Sequence, residues 1–346
     1  MRIGMIAPPW FPLPPQRYGG IEFVVSLLTE GLVERGHEVT LFASGDSKTQ
    51  ARLSAIFERA PFEQIENGLH LEVAHSLEAY TMAREFDIIH DHDGVESRVM
   101  GALVHRLTGV PVVATLHGPA DGPTQRMLTS LRHDLVFIAI SEYQRKGFPD
   151  LRFVATIPNA VDVEHQPFSA EKDDYFLFIG RMSPEKGART AVEVAQRLGT
   201  RLIMAGKVNE GAEREYFTRE VEPHLTENIH FRGEVDHETK VELYRRARCT
   251  LFPIQWPEPF GLVMIESLAC GTPVIAFRHG SVPEVIEHGR TGFVVDTVDE
   301  MVAAAARIDE IDPAECRRAV EERFGRDAFV SAHERAYERL VTERRE

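Results

Sequence analysis

Cysteine is scarce in this chain: Cys249, Cys270 and Cys316 are the only three among 346 residues, and they form no C-x-x-C pattern. This spacing excludes a disulfide scaffold and a cysteine-based zinc site, and it is typical of a protein from a reducing compartment. Long apolar runs are also missing, because the run at the N-terminus, residues 1–7, is too short for a signal peptide or a membrane span. The sequence therefore predicts a cytoplasmic location.

An excess of positive charge is missing as well. The chain has 39 Lys and Arg residues against 54 Asp and Glu, a formal net charge of -15, and both halves are net acidic. This excludes a basic nucleic-acid-binding module and gives no indication of membrane association. The sequence contains no G-x-G-x-x-G fingerprint, P-loop, G-x-S-x-G elbow or H-E-x-x-H motif. The sequence therefore gives little support for a nicotinamide-dependent enzyme, and few other classes of enzyme are indicated by a motif.

Short apolar runs alternate with amphipathic stretches along the chain, a pattern that predicts parallel sheets with crossover helices. Strands are expected near residues 2–6, 38–43, 87–90, 110–115, 135–140, 153–157, 175–179, 201–205, 228–231, 249–252, 273–276 and 293–295. Helices are expected near residues 20–35, 183–198, 211–222, 238–246, 260–269 and 326–345. The sequence thus predicts two doubly wound α/β units, connected through residues 158–162 and 169–174, with ligands at the carboxyl ends of their strands.

Two cations stand where a strand of the second half turns into a helix. Arg181 and Lys186 lie within residues 178–187, in a segment where the strand ends at Gly180. Free backbone N–H groups, the helix dipole and the two cations could converge there on a phosphate. The alternative is a solvated turn with ordinary surface charges.

Two carboxylates follow in the same half. Glu258 lies in a loop before a helix, and Glu266 lies inside that hydrophobic helix, where an unpaired carboxylate would be costly to bury. Carboxylates suit vicinal sugar hydroxyls as cations suit a diphosphate, so the four side chains together match a sugar nucleotide. The alternative is that both carboxylates are partners in an internal hydrogen-bond network.

The first half offers a glycine pair and a histidine. Gly19 and Gly20 precede the first helix, where a Gly-Gly turn allows close approach of an anion, although such a turn is more often only a turn. His117 follows a strand and is a candidate for hydroxyl contact or proton transfer, with a structural role as the alternative.

Asp91 and Asp93 resemble the Asp-x-Asp metal motif of one class of sugar-nucleotide enzymes. The two cations described above would already neutralise a diphosphate and remove the need for a metal. We therefore expect Asp91 and Asp93 to be loop-capping or acceptor-side groups, and we expect no metal site.

Together these segments resemble the retaining glycosyltransferases of family 4. The likeness covers nearly the whole chain, through the motifs above and residues 14–22, 35–39, 157–162, 271–274 and 289–292. It implies the GT-B fold, with two Rossmann-like doubly wound domains facing a central cleft. Residues 1–168 would form the acceptor-side domain and residues 169–325 the donor-nucleotide domain. The final helix, residues 326–346, would pack back on the first domain, which gives its apolar stripe a partner.

The resemblance also implies roles for individual residues. Arg181 and Lys186 would bind and stabilise the leaving diphosphate, and Glu266 would hold the ribose hydroxyls. Catalytic roles fall to His117, Arg181, Lys186 and Glu258. Donor-binding roles fall to Gly19, Gly20, Gly180, Arg181, Lys186, Val235, Glu258, Phe260, Gly261, Leu262 and Glu266.

The activity that the resemblance implies is retaining, front-face transfer of a hexose from a nucleotide-diphosphate sugar, with a UDP-sugar favoured. The acceptor would be a hydroxyl of a soluble small molecule or saccharide, and neither a metal nor another cofactor would be required. The oligomeric state, monomer or homodimer, stays open. The alternatives are a sugar-nucleotide epimerase or disaccharide phosphorylase on the same fold, and a non-catalytic sugar-nucleotide-binding protein.

Overall fold

The structure, a computed structural model, describes residues 1–17, 19–65, 68–119, 122–209 and 211–343. The chain divides into two compact units. The first comprises the chain up to Ala160 together with the C-terminal segment from Arg326, and the second runs from Val161 to Gly325. The boundary thus lies inside the first predicted connecting segment and before the expected division at 168/169.

In the first unit, a parallel sheet is formed by β1 (Arg2–Ile6), β2 (Glu38–Phe42), β3 (Arg52–Ser54), β4 (Ile88–Asp91), β5 (Val112–Thr115), β6 (Val136–Ala139) and β7 (Phe153–Thr156). Its helices are α1 (Gly20–Glu34), α2 (Leu69–Thr81), α3 (Val95–Thr108), α4 (Gly122–Ser130) and α5 (Glu142–Lys146). The strand order is β3-β2-β1-β4-β5-β6-β7. The central strands are apolar and buried because helices cover both faces of such a sheet. The sequence did not predict β3, a partly exposed edge strand of three residues without an apolar run.

In the second unit, the parallel sheet is formed by β8 (Phe176–Ile179), β9 (Leu202–Ala205), β10 (Ile229–Phe231), β11 (Cys249–Phe252), β12 (Val274–Phe277) and β13 (Gly292–Val295). Its helices are α6 (Ala188–Leu198), α7 (Ala212–Tyr216), α8 (His237–Arg246), α9 (Leu262–Ala269), α10 (Val282–Val285), α11 (Val298–Ala305) and α12 (Pro313–Arg323). The strand order is β10-β9-β8-β11-β12-β13. Two doubly wound α/β units are therefore confirmed, and the predicted strands are found within two residues of their expected bounds.

Two predicted helices are interrupted. The helix expected over residues 183–198 begins as a 3₁₀ turn, Pro184–Lys186, and α6 starts only after Gly187, whose φ of 75° is left-handed. The helix expected over residues 211–222 continues from α7 into a π-helical turn, Phe217–Val221. At both breaks the backbone changes from one type of helix to another. The spacing of apolar residues in the sequence does not reveal such a change.

The final helix, α13 (Arg326–Glu343), belongs to the first unit and lies against α1. Gly31 of α1 leaves room for Val330, because an added Cβ would meet the valine side chain. Glu334 accepts a hydrogen bond from Arg35 and lies 2.8 Å from Nε2 of His37. Apolar packing and ion pairs thus hold this helix on α1. Within the described ranges, no helix combines the length and hydropathy that crossing a membrane requires.

Candidate functional site

The cations and the first carboxylate of the second unit lie on two neighbouring loops. Arg181 and Lys186 follow β8, and Glu258 follows β11. The sheet connections leave β8 and β11 in opposite directions, so the carboxyl ends of these strands flank the crevice where doubly wound sheets bind ligands. The fold therefore brings together three side chains that are far apart in the sequence.

Two glycines allow close backbone packing of the loop after β8 against the loops after β11 and β9. A Cβ at Gly187 would run into the carbonyl oxygen of Pro253, at the start of the loop after β11. A Cβ at Gly206 would run into the carbonyl oxygen of Gly180, directly after β8. Both glycines also have positive φ values, of 75° and 151°, which other residues rarely adopt. Close backbone packing at this edge of the sheet therefore requires glycine at both positions.

Lys186 forms one cluster with Glu258 and Trp256. The Lys186 ammonium donates to Oε2 of Glu258 at 2.6 Å, and the Trp256 indole Nε1 donates to the same oxygen at 3.0 Å. The ammonium also lies 5.0 Å from the centre of the indole ring, within the range of a cation–π interaction. Glu258 is only 9% exposed, so its charge depends on these two donors.

Arg181 is held by two carboxylates. It donates to Oε1 of Glu185 at 2.9 Å and to Glu213 at the start of α7, and Glu213 also accepts from the backbone N–H of Asn209 at 2.9 Å. Both Arg181 and Lys186 are therefore paired with carboxylates, which argues against the alternative of a solvated turn with ordinary surface charges. An anionic ligand would have to compete with carboxylates for both cations.

Glu266 lies in α9 and is 6% exposed. Lys240 of α8 donates to its Oε1 at 2.7 Å, and the Tyr244 hydroxyl donates to its Oε2 at 3.2 Å. Burial beside this carboxylate raises the pKa of Tyr244 well above its usual value, which keeps the phenol protonated as a donor. A carboxylate can accept about four hydrogen bonds, so each oxygen retains capacity for one ligand hydroxyl. Both glutamates belong to internal networks, and the network at Glu266 leaves part of the hydrogen-bonding capacity of the carboxylate unused.

The other predicted donor-binding residues of the second unit are close in sequence to the residues of these clusters. Val235 is half-buried in the loop before α8. Phe260 is buried with its ring edge-on to Phe324 at 5.8 Å. Gly261 has a φ of 82° directly before Leu262, which begins α9. The helix expected from residue 260 therefore starts two residues later, with the glycine as its N-cap.

Five partners in these clusters were not predicted as site residues: Glu185, Glu213, Lys240, Tyr244 and Trp256. Lys240 and Tyr244 are four residues apart on α8 and so share one helix face, which sequence spacing could have shown. Glu213 and Trp256 come from loops or helix ends with no periodic signal. Their placement depends on which segments meet at the sheet edge.

In the first unit, Gly19 is the N-cap of α1 and has a φ of 144°, and Gly20 is the first residue of the helix. Tyr18, in the same motif, lies outside the described residues. Glu22 in the first turn of α1 is 5% exposed, and its carboxyl lies next to Gly19. Burial raises the pKa of Glu22 to about 7. The glycine turn therefore adjoins an acid that changes its charge near neutral pH.

We expect Glu22→Gln to remove a pH dependence of stability in the first unit. The folded-state pKa is raised from 4.5 to about 7, so the folded chain keeps this proton while the unfolded chain loses it. Stability must fall as pH rises through this window, by roughly 3 kcal/mol for a shift of this size. Trp10 lies in the first unit and the only other tryptophan, Trp256, in the second. Urea unfolding followed by Trp10 fluorescence in a Trp256→Phe background therefore reports the first unit.

The control for this experiment is Glu58→Gln, which neutralises an exposed carboxylate of the same unit. The urea midpoint of the control should fall between pH 5 and pH 8 as in the parent, whereas that of Glu22→Gln should change much less. Equal pH profiles for parent and Glu22→Gln would show that Glu22 is not buried as an acid.

Asp91 caps the loop after β4. It accepts from the Tyr80 hydroxyl at 2.7 Å, from the Ser97 hydroxyl at 2.8 Å and from the backbone N–H of Asp93 at 2.8 Å. Burial and nearby Glu72 raise the pKa of Asp93 well above its usual range. These contacts favour the loop-capping interpretation. Among the described residues, no group of three His, Cys, Asp or Glu side chains has the arrangement of a metal site.

His117 is half-buried after β5 and lies with its Nε2 atom 2.9 Å from Nδ1 of His92. Burial, then the charge of Arg98, lowers the pKa of His117 to about 3. At neutral pH the ring is therefore uncharged and a weak base. Of the two predicted roles, this favours contact with a hydroxyl over proton transfer.

Two family models match the chain, and together they cover most of it. The model described as Glycosyltransferase Family 4 matches residues 18–165, and the model described as Glycosyl transferases group 1 matches residues 162–323. The join between the matches falls close to the boundary between the two units. The chain therefore belongs to the family 4 type of glycosyltransferases with the GT-B fold.

Individual relatives agree with this assignment. The chain is 30% identical over 261 residues to a glycogen synthase of Mycobacterium tuberculosis, a match that covers 67% of the chain and only 62% of that protein. It is 28% identical over 345 residues to a phosphatidyl-myo-inositol mannosyltransferase of Mycolicibacterium smegmatis, covering 90% of the chain and 86% of the relative. AviGT4, a glycosyltransferase involved in avilamycin A biosynthesis, superimposes with a TM-score of 0.72 at 26% identity, covering 99% of this chain and 98% of AviGT4.

Proposed function

We propose that this protein transfers a hexose from a nucleotide-diphosphate sugar, with a UDP-sugar favoured, to a hydroxyl of a soluble small molecule or saccharide. The observation that carries the proposal is the position of Arg181, Lys186 and Glu258 on the two loops that flank the β8/β11 crevice. A diphosphate is bound by cations, and two cations occur there.

The charges around the crevice suggest how a donor would bind. A diphosphate that contacts Lys186 takes the place of Glu258, which now accepts from that ammonium at 2.6 Å. Glu258 keeps its bond from Trp256 at 3.0 Å and becomes available to a hydroxyl of the transferred sugar. The two cations then lie beside the phosphate on which negative charge develops as the glycosidic bond breaks.

The proposed transfer retains the anomeric configuration and proceeds on the front face of the sugar. Arg181 and Lys186 supply the positive charge that a metal supplies in other sugar-nucleotide enzymes, so that no cofactor is needed. The low pKa of His117 agrees with a scheme in which the departing phosphate, rather than a histidine, takes the acceptor proton.

A soluble acceptor is supported by two of the relatives: a glycogen synthase, and a glycosyltransferase of avilamycin A biosynthesis. Another relative is a phosphatidyl-myo-inositol mannosyltransferase, so a lipid is the competing class of acceptor. The activity of the protein should therefore be measured with both soluble and lipid acceptors.

The experiment measures nucleoside diphosphate release from UDP-, GDP- and ADP-sugars, with and without saccharide, small-molecule and phosphatidylinositol acceptors, in the presence and absence of EDTA. We expect acceptor-dependent release, unchanged by EDTA, with product of the same anomeric configuration as the donor by NMR. Sugar interconversion without an acceptor would indicate an epimerase, and phosphate-dependent turnover a phosphorylase. Nucleotide binding without turnover across the panel would indicate a binding protein.

A further inference from the structure

The first unit contains a chain of hydrogen-bonded side chains that links the last helix to His117. The Tyr337 hydroxyl of α13 lies 2.6 Å from Nδ1 of His90 on β4. The same Nδ1 lies 3.2 Å from Nε2 of His92, and Nδ1 of His92 lies 2.9 Å from Nε2 of His117. The other nitrogen of His90, Nε2, lies 2.7 Å from the hydroxyl oxygen of Thr115. His117 is thus the end of a chain that starts at Tyr337.

The imidazoles of His90, His92 and His117 are all neutral. Burial lowers the pKa of His90 and of His92 well below the usual value, and neighbouring rings lower it further. His333 of α13, whose ring centre lies 5.5 Å from that of His90, is neutral for the same reason, with a pKa of about 4. A neutral imidazole carries one proton, so each of its nitrogens is either a donor or an acceptor. Fixing one hydrogen-bond direction therefore fixes the tautomer of every ring along the chain.

Tyr337 sets this direction. The Tyr337 hydroxyl lies 2.6 Å from Nδ1 of His90 and the Thr115 hydroxyl lies 2.7 Å from Nε2, and a neutral imidazole can accept a hydrogen bond from only one of the two hydroxyls. The phenol is more acidic than the aliphatic hydroxyl of Thr115 and is therefore the stronger donor and the weaker acceptor, so Tyr337 donates to His90. Nδ1 of His90 is consequently an acceptor, and Nε2 of His90 donates to Thr115.

The direction then passes along the rings. A bare Nε2 on His92 would put two lone pairs 3.2 Å apart, so His92 donates from Nε2 to His90 and accepts at Nδ1. His117 donates from Nε2 to His92, which leaves Nδ1 of His117 without a proton. In the described part of the chain no protein group hydrogen-bonds to that nitrogen, and the side chain is half-buried.

We propose that Tyr337, acting through His90 and His92, holds His117 in the tautomer protonated at Nε2, so that Nδ1 of His117 accepts a hydrogen bond from a substrate hydroxyl. Tyr337 is a positioning residue in this scheme, since it acts only through the rings. The role of Nδ1 toward a substrate rests on the proposed function, whereas the tautomer of His117 is a property of the protein alone.

The opposite direction is available once the phenol hydroxyl is removed. In Tyr337→Phe, the Thr115 hydroxyl can donate to Nε2 of His90, His90 to His92, and His92 to His117, with every bond satisfied. Nδ1 of His117 would then carry the proton and become a donor. In Thr115→Val, by contrast, the original direction leaves only the Nε2–H of His90 unpaired, whereas reversal would leave both the Tyr337 O–H and a bare Nε2 of His90 unpaired, so the original direction remains. The two variants each remove one hydroxyl from the same chain, and only one should reverse it.

The test is long-range ¹H–¹⁵N NMR of the full chain labelled at histidine, with His117 assigned by comparison with His117→Gln. In the wild type, Nδ1 of His117 should resonate as a bare nitrogen and Nε2 as a protonated one. Tyr337→Phe should move both resonances toward the exchanged positions, and Thr115→Val should leave them in place. A protonated Nδ1 in the wild type would overturn the proposal even if Tyr337→Phe failed to fold. Unchanged resonances in a folded Tyr337→Phe variant would overturn it as well.

A second measurement tests the contact with substrate. Donors in which one sugar hydroxyl is replaced by fluorine cannot donate at that position, so one of them should lose kcat/KM about tenfold in the wild type. The same donor should lose much less in Tyr337→Phe, because its His117 can donate. An equal fluorine penalty in both proteins would overturn the contact at Nδ1. Absence of turnover with any donor would sink the proposed function, and the NMR result would still decide the tautomer.

Discussion

Lys186→Met is expected to lower turnover by ~10²–10³, as the loss of one preorganised donor to a developing charge typically does. The ammonium is the group that would stabilise the departing diphosphate, and methionine keeps the length of the side chain without its charge. Affinity for UDP should fall about tenfold or more, the worth of a charge-assisted hydrogen bond. Isothermal calorimetry and steady-state kinetics measure the two effects separately.

The partner of Lys186 complicates this variant, because Glu258 would keep only the Trp256 indole as a donor. A buried charge that loses its counter-ion destabilises the fold. Lys186→Met combined with Glu258→Gln removes both charges and should restore stability while UDP affinity stays low. Lys146→Met, at an exposed position of α5, controls for loss of a lysine. Wild-type UDP affinity in a folded Lys186→Met variant would refute the diphosphate site.

Glu266→Gln is expected to abolish most of the preference for a ribose with both hydroxyls. The carboxylate already accepts from Lys240 and Tyr244, and its remaining lone pairs suit two vicinal hydroxyls. Each hydrogen bond to a charged group contributes about 1.5–3 kcal/mol, so removing the charge should cost about tenfold to a hundredfold in affinity for UDP. Affinity for 2′,3′-dideoxy-UDP should change little, because that ligand makes neither bond.

The ratio of the two affinities is the decisive quantity, since a general loss of stability would affect both ligands alike. The control is Glu238→Gln, which neutralises an exposed carboxylate in the first turn of α8. Its ratio should equal that of the wild type. If Glu266→Gln retained the wild-type ratio, Glu266 would be a structural partner of Lys240 and nothing more.

The two glutamates show where sequence reasoning reaches its limit. The sequence indicated that Glu266, inside an apolar helix, needed a partner, and it offered an internal network and a ligand as competing explanations. The structure shows the internal network, and because Lys240 and Tyr244 use only part of the hydrogen-bonding capacity of the carboxylate, that network does not exclude a ligand. No spacing rule could have paired Lys186 with Glu258, which stand 72 positions apart.

His117, in the first unit, also has partners that the sequence could not predict. Its position after a strand was visible from the apolar run that precedes it, and with that its place at the sheet edge. Its hydrogen-bond partner is His92, just after β4, which is linked through His90 to Tyr337, 247 positions after His90. The sequence showed Tyr337 only as one member of a helical apolar stripe. Its hydroxyl acquires a role because α13 places it beside β4.

Alternating apolar and amphipathic segments, the two cations, the two carboxylates and the absence of competing motifs determined the fold class and the family from the sequence alone. These features are local, since each depends on the chemistry and spacing of residues within one strand, helix or loop. The tertiary structure alone decided which carboxylate meets which cation and which histidines hydrogen-bond to one another. The physical reason is that strand order and the final helix bring distant segments to one sheet edge, and side-chain partnership depends on distance in space.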